Sequence, residues 1–259
     1  MKSPCASSAV RLLFIVLTVA AVLAPLSQAY SQDYATPKWL LSVSGGLAFP
    51  TGRFAETNPD ADPPKAGHDN GYDASAAIGM FLSPAVAVGI SGDYSRFDID
   101  FEGLPVNPDD RGHTSTVSGH VWIKYQLSGG FARWQPYAKI GLGAGRPTGQ
   151  VDYDVPVAFS VNDSTVLATK LESVVKTSFS FLAALGVLIP ITNQVGISIE
   201  PAYRTVSTKG AGRTDKIHTV DGDVFETEIG TDSGGGTVRL KAKSNTDWWE
   251  IRGGIVIMI

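Results

Sequence analysis

The chain has 259 residues, 43% of them hydrophobic and 18% charged, with 28 glycines. Length and composition fit one folded unit, and a formal net charge of -4 gives no electrostatic reason to bind nucleic acid.

The first element is a leader. Lys2 and Arg11 precede an apolar run from Leu12 to Leu26, followed by "SQA", the order of a secretory signal peptide. The run is about 15 residues, short of the roughly 20 that a spanning helix needs. Cleavage is expected after Ala29, giving a leader at 1–29 and one domain at 30–259. Loss of Lys2 and Arg11 would take the formal charge from -4 to -6, and loss of Cys5 would leave no thiol, which excludes disulfide, thiolate-metal and cysteine-nucleophile chemistry.

From residue 39 onward the dominant signal is alternation, the mark of a strand with one apolar face. "WLLSVSGGLAF" sets Trp39, Leu41, Val43, Leu47 and Phe49 against Ser42, Ser44, Gly46 and Ala48. "YDASAAIGMFL" aligns Tyr72, Ala74, Ala76, Ile78, Met80 and Leu82, and "VAVGISGDYS" aligns Val86, Val88, Ile90 and Tyr94. "TVSGHVWIKYQL" aligns Val117, Val121, Ile123, Tyr125 and Leu127. "QPYAKIGLGAG", "SFSFLAALGVLI", "VGISIEPAYRT" and "WWEIRGGIVIMI" continue the pattern, the last with Trp249, Ile251, Ile255, Ile257 and Ile259 on one face. Eight strands are expected, with the last pairing with the first, Lys38 to Phe49, to close a ring.

Short turns near Pro84, Gly129 and Thr192 alternate with long polar stretches at about 50–71, 98–113, 146–175 and 206–246, the asymmetry of transmembrane barrels. A soluble barrel of lipocalin type would cover its outside with charge. The second face here is mostly Ser, Gly and Ala with isolated charges, which suits a cramped interior. The apolar face carries Trp39, Tyr72, Tyr94, Tyr125, Tyr203 and Trp249 near strand ends, as an interfacial aromatic girdle would. The expected fold is therefore an all-β, up-and-down antiparallel transmembrane barrel of eight strands, with ten as the alternative should a loop ribbon join the wall. Within the long loops, "VPVAFSV" with "TVLATKL" reads as one hairpin and "DVFETEIG" with "GTVRLKA" as another.

"LSVSGGLAFPTGRF", "PYAKIGLGAG" and the alternating apolar end give a chain that resembles the small outer-membrane β-barrel family of the OmpA membrane domain and OmpX-like proteins. The resemblance implies the bacterial outer membrane, lipid and lipopolysaccharide as surroundings, and a monomer. It also implies that barrel-insertion machinery reads the last strand, here Ile255, Ile257 and Ile259, where the family usually ends in an aromatic residue.

The inward face should carry Asp93, Glu200 and Glu250 against Lys124, Lys139, Arg204 and Arg252, and burying such ions is costly unless they pair. The expectation is a lumen plugged by a charge network, with a structural or surface-interaction role and a possible extracellular ligand at the loops. A narrow porin-like channel is the alternative. No metal, nucleotide or cofactor motif is visible, and "GLGAG" within a strand reads as a glycine lane rather than a phosphate loop. An enzyme is the remaining class. His113 and Ser115 in "RGHTST" have the two-residue spacing of the dyad in lipid A deacylase barrels but lack its surroundings, and His68 with Asp69, or His218 with Asp221 and Asp223, read more simply as loop polarity.

Overall fold

The computed structural model describes residues 39–56, 67–101, 110–127, 134–161, 164–208, 211–229 and 245–259. The expected leader, the strand-like "GTVRLKA" at 236–242 and most of the turn "SGGFARW" lie outside them.

Among the described residues the elements are β1 (Trp39–Pro50), β2 (Gly67–His68), β3 (Gly71–Ser83), β4 (Val86–Asp100), β5 (Arg111–Gln126), β6 (Gln135–Val161), β7 (Ser164–Val175), β8 (Ser178–Pro190), β9 (Val195–Val206), β10 (Arg213–Thr219), β11 (Val224–Ile229) and β12 (Thr246–Met258). One 3₁₀ turn, Gly52–Phe54, follows β1. Eight strands form a closed antiparallel ring in the order β1, β3, β4, β5, β6, β8, β9 and β12. Its seam runs from Leu40 opposite Met258 to Pro50 opposite Trp248. Closure leaves no wall edge unpaired, the condition for a sheet to sit in hydrocarbon. The ring has eight strands rather than ten because the additional strands stack above the wall.

β6 makes that extension possible. Its first half pairs with β8 from Gln135 to Gly145, and from Thr148 it pairs with β7 instead. Pro147, which has no N–H to donate, lies in the gap between the two ladders. The β6–β7 hairpin expected from "VPVAFSV" and "TVLATKL" forms. Of the second expected hairpin only the first strand, β11, falls within the described residues, and it pairs with β10 through Arg213 opposite Ile229 to His218 opposite Val224. β10 in turn pairs with β7, Arg213 opposite Val175. Among the described residues these strands form one sheet in the order β6–β7–β10–β11 at the long-loop end.

The alternation assigns the faces as expected. Val43, Leu47, Leu82, Ile90, Val117, Val121, Leu142, Leu185, Ile199, Ile251 and Ile255 all point outward and are exposed. The same outward face becomes polar above one level, where Tyr94 is followed by Arg96 and Asp98, Val117 is preceded by Ser115 and His113, and Ala144 is followed by Arg146 and Thr148. So large a continuous apolar surface marks a lipid-facing band rather than a soluble exterior.

Candidate functional site: the charged lumen

Period-two geometry sends every second residue of eight strands into a ring just wide enough for side chains to fill. The filling is layered. Toward the long-loop end, Ala48, Phe54, Phe97, Val206 and Trp248 form an apolar cluster, with Phe97 set edge-on to Phe54 and Trp248. At the short-turn end Leu40, Ala87, Trp122, Tyr137, Leu188, Val256 and Met258 form a second one. Trp122 lies over the cross-strand pair Gly79 and Gly89, where a β-carbon would come within 2.3 and 2.4 Å of its ring, so glycine is what admits the indole.

Between these layers lie the ions. Arg204 on β9 reaches Asp93 on β4 at 2.8 Å and Glu250 on β12 at 3.2 Å, with its guanidinium beside the Trp248 ring. Arg252 on β12 pairs with Glu250, with Asp93 at 3.3 Å, with Glu200 at 3.8 Å and with Asp73 on β3 at 2.5 Å. The last contact depends on Gly46 of β1, which stands directly between Arg252 and Asp73 in the register. A β-carbon there would meet Ile251 O at 1.9 Å. His120 on β5 stands between the Asp93 carboxylate, 3.0 Å from Nδ1, and the Ser180 hydroxyl, 2.8 Å from Nε2.

Below this core, Glu200 accepts from Lys139 at 2.7 Å and from the Tyr137 hydroxyl at 2.9 Å. Lys124 also faces inward and is buried, but its ammonium lies over the rings of Tyr137 and Phe81, at 5.0 and 5.6 Å, rather than against a carboxylate. The structure therefore brings Asp93, Glu200, Arg204, Glu250, Arg252 and Lys139 into one chain of contacts and sets Lys124 at its side. Sequence reasoning missed Asp73 and His120. Both have inward parity on their strands, and that parity was the available signal.

Trp39, Tyr72, Tyr94, Tyr125, Tyr203 and Trp249 all lie on the outer face, and Tyr203 packs on Trp249 with ring centroids 5.2 Å apart. Ile255, Ile257 and Ile259 are exposed on the same face. His113 and Ser115 sit on the outer face of β5 above the apolar band, opposite Asp98 and Arg96. Burial first, then the Arg96 charge, holds the His113 imidazole below its ordinary pKa. His68 is stacked on Phe54, 2.9 Å from that residue's carbonyl and 2.7 Å from the Thr114 hydroxyl. Asp223 meets Thr219 through its own backbone rather than lining a site with His218.

The sequence matches the family model for the outer membrane protein beta-barrel domain over residues 14–231. The chain belongs to that family. Family membership places this barrel in the bacterial outer membrane. A major outer membrane protein from Thermus thermophilus has the same fold, with a TM-score of 0.51 and 13% identity over 85% of this chain and 99% of that one. Neisserial surface protein A and OprG from Pseudomonas aeruginosa are also similar, each 13% identical with a TM-score of 0.45, over 85% and 87% of this chain and 97% and 99% of theirs. No curated protein sequence matches.

For this outer-membrane barrel the outward face carries a direct expectation. Val121, 67% exposed and well inside the apolar band, becomes a charge in hydrocarbon when changed to Arg, costing about 2–4 kcal/mol. Thr214→Arg, on the extracellular sheet, should cost almost nothing. Urea unfolding of the two variants in lipid vesicles checks the contrast.

Proposed function

We propose that the protein is a non-conducting, non-catalytic barrel whose filled lumen is a rigid mount for its extracellular sheet, giving a structural or surface-interaction role. The observation that carries this reading is the layering of the lumen, apolar at both ends around a salt-bridged core. Ions crossing it would have to shed water at two hydrophobic layers and break the core pairs between them. Burial of charge inside the ring makes sense as a plug that specifies a single packing.

The outer aromatics support a girdle at each membrane interface. Tyr72, Tyr94, Tyr203 and Trp249 mark the long-loop end, and Trp39 and Tyr125 the other. Trp249 stands opposite Phe49, ten residues along β1 from Trp39. At about 3.3 Å per residue and a tilt near 40°, the two levels are roughly 25 Å apart, the height of an outer-membrane apolar band. Ile255, Ile257 and Ile259 face lipid at the end of β12, where an insertion signal would be read.

The sheet of β6, β7, β10 and β11 is the surface that lies clear of the bilayer. It exposes Val155, Leu167, Val220 and Val224, and these would be the first contacts for an extracellular partner. A non-catalytic role is supported by His113 and Ser115 lying open on the outer wall of β5, with charged neighbours on the adjoining strand rather than a substrate cleft.

Planar-bilayer recording tests the central claim. The folded protein should insert without unit conductance across the voltage range that leaves the bilayer intact. Discrete steps from the unaltered protein would favour the narrow-channel reading, with the Arg252 and Glu200 layer as its constriction.

A further inference from the structure

We propose that the pocket between the salt-bridged core and the short-turn plug is a binding site for a small monovalent anion of halide size, held by Lys124.

Lys124 and Lys139 are direct cross-strand partners on β5 and β6, and both side chains enter the lumen. Like charges directly opposite one another destabilise a sheet unless something lies between them. One carboxylate does: Glu200, both of whose oxygens Lys139 reaches at 2.7 Å while the Tyr137 hydroxyl donates to Oε2 at 2.9 Å. Among the described residues no carboxylate comes within ion-pairing distance of the Lys124 ammonium, although Lys124 is only 6% exposed. The ring faces of Tyr137 and Phe81 lie 5.0 and 5.6 Å from the ammonium, and they leave its formal charge without a counter-ion in contact. The surplus carboxylate charge of the core, from Asp73, Asp93 and Glu250, lies beyond Arg252 and Arg204, which already contact it.

The pocket beside Lys124 has a volume of about 40 Å³ and is lined by Ser42, Ser75 and Ser198 as well as Lys139 and Glu200. Hydroxyls turn to donate, so with the ammonium they make a donor-rich shell. The volume exceeds the roughly 10–15 Å³ that holds one water, so the pocket admits a monatomic anion such as bromide. Charge then decides between halide and water, because only the anion neutralises the second lysine. The site is independent of whether the sheet above binds a partner.

The test is to refold the urea-denatured full chain into detergent micelles in sodium bromide or in sodium gluconate at equal ionic strength, then read the urea midpoint. Gluconate is too large for the pocket. Bromide should raise the midpoint of the unaltered protein relative to gluconate, and Lys124→Met should abolish that difference. Lys139→Met should abolish it too, since Glu200 is then released to pair with Lys124; this second variant serves if the first does not fold. Crystals grown in bromide should show an anomalous peak beside Lys124 Nζ. An unaltered protein with equal midpoints in both salts, a full bromide effect in either folded variant, or a pocket holding water alone would overturn the assignment.

Discussion

Changing Arg252 to Met should destabilise the barrel by about 3–5 kcal/mol, the cost of removing one partner from a buried ion pair. The loss is large because one guanidinium serves four carboxylates: Asp73, Asp93, Glu200 and Glu250. Glu200 keeps Lys139, and Asp93 and Glu250 keep Arg204. Asp73 has no second ion pair among the described residues, so its charge is the one left exposed to a low dielectric. The double variant Arg252→Met with Asp73→Asn should therefore recover a substantial part of the loss, while Asp73→Asn alone should cost less than Arg252→Met. Urea midpoints for the three proteins and the parent complete the cycle. Additive losses in the double variant would show that Asp73 and Arg252 do not act as a pair.

Gly46 is part of the same device. Any side chain at that position would strike the β12 backbone at Ile251 and close the path by which Arg252 crosses β1 to reach β3. This contact was beyond sequence reasoning. Inward parity follows from period two and could be read from "YDASAAIGMFL" or "WWEIRGGIVIMI" alone, because a one-residue slip would turn every apolar side chain away from lipid. Which inward residues share a height depends on the register between strands. That register is fixed by turn lengths and by closure, and neither is a local property. Parity named Arg204 and Glu250 as inward charges, and the register makes them neighbours on β9 and β12 at 3.2 Å. Asp73, two strands away from its cation, is brought to Arg252 only by the closed ring.

The loops show the same division. "VPVAFSV" and "TVLATKL" are adjacent, alternating and joined by a short turn, so local sequence specifies their hairpin. The partnership of β10 with β7 joins segments some forty residues apart, and nothing in "RTDKIHT" names its partner. The change of β6 from β8 to β7 is what leaves β7 an edge for β10. Pro147 marked the place, but it had read only as part of a polar loop.

The apolar layers make the second large prediction. Trp122→Ala should destabilise by about 3–5 kcal/mol, as truncation of a large buried aromatic does, since it uncovers Gly79 and Gly89 and leaves Leu188 and Met258 facing a void. Trp122→Ala by itself should not conduct. Trp248, fully buried with Phe97 and Val206, still seals the far end, and the Arg204 and Arg252 pairs still span the middle. Trp248→Ala should likewise stay closed, because the short-turn cluster remains. Only when both indoles are removed does water reach the ion pairs from either side. The attraction between Arg252 and its carboxylates then falls as the surroundings become more polar, and the double variant should show small, flickering currents in planar bilayers that neither single variant shows. Conductance in Trp122→Ala alone would mean that one layer carries the whole seal. Silence in a folded double variant would transfer the seal to the salt-bridged core, and Arg252 would then be the residue whose loss opens the lumen.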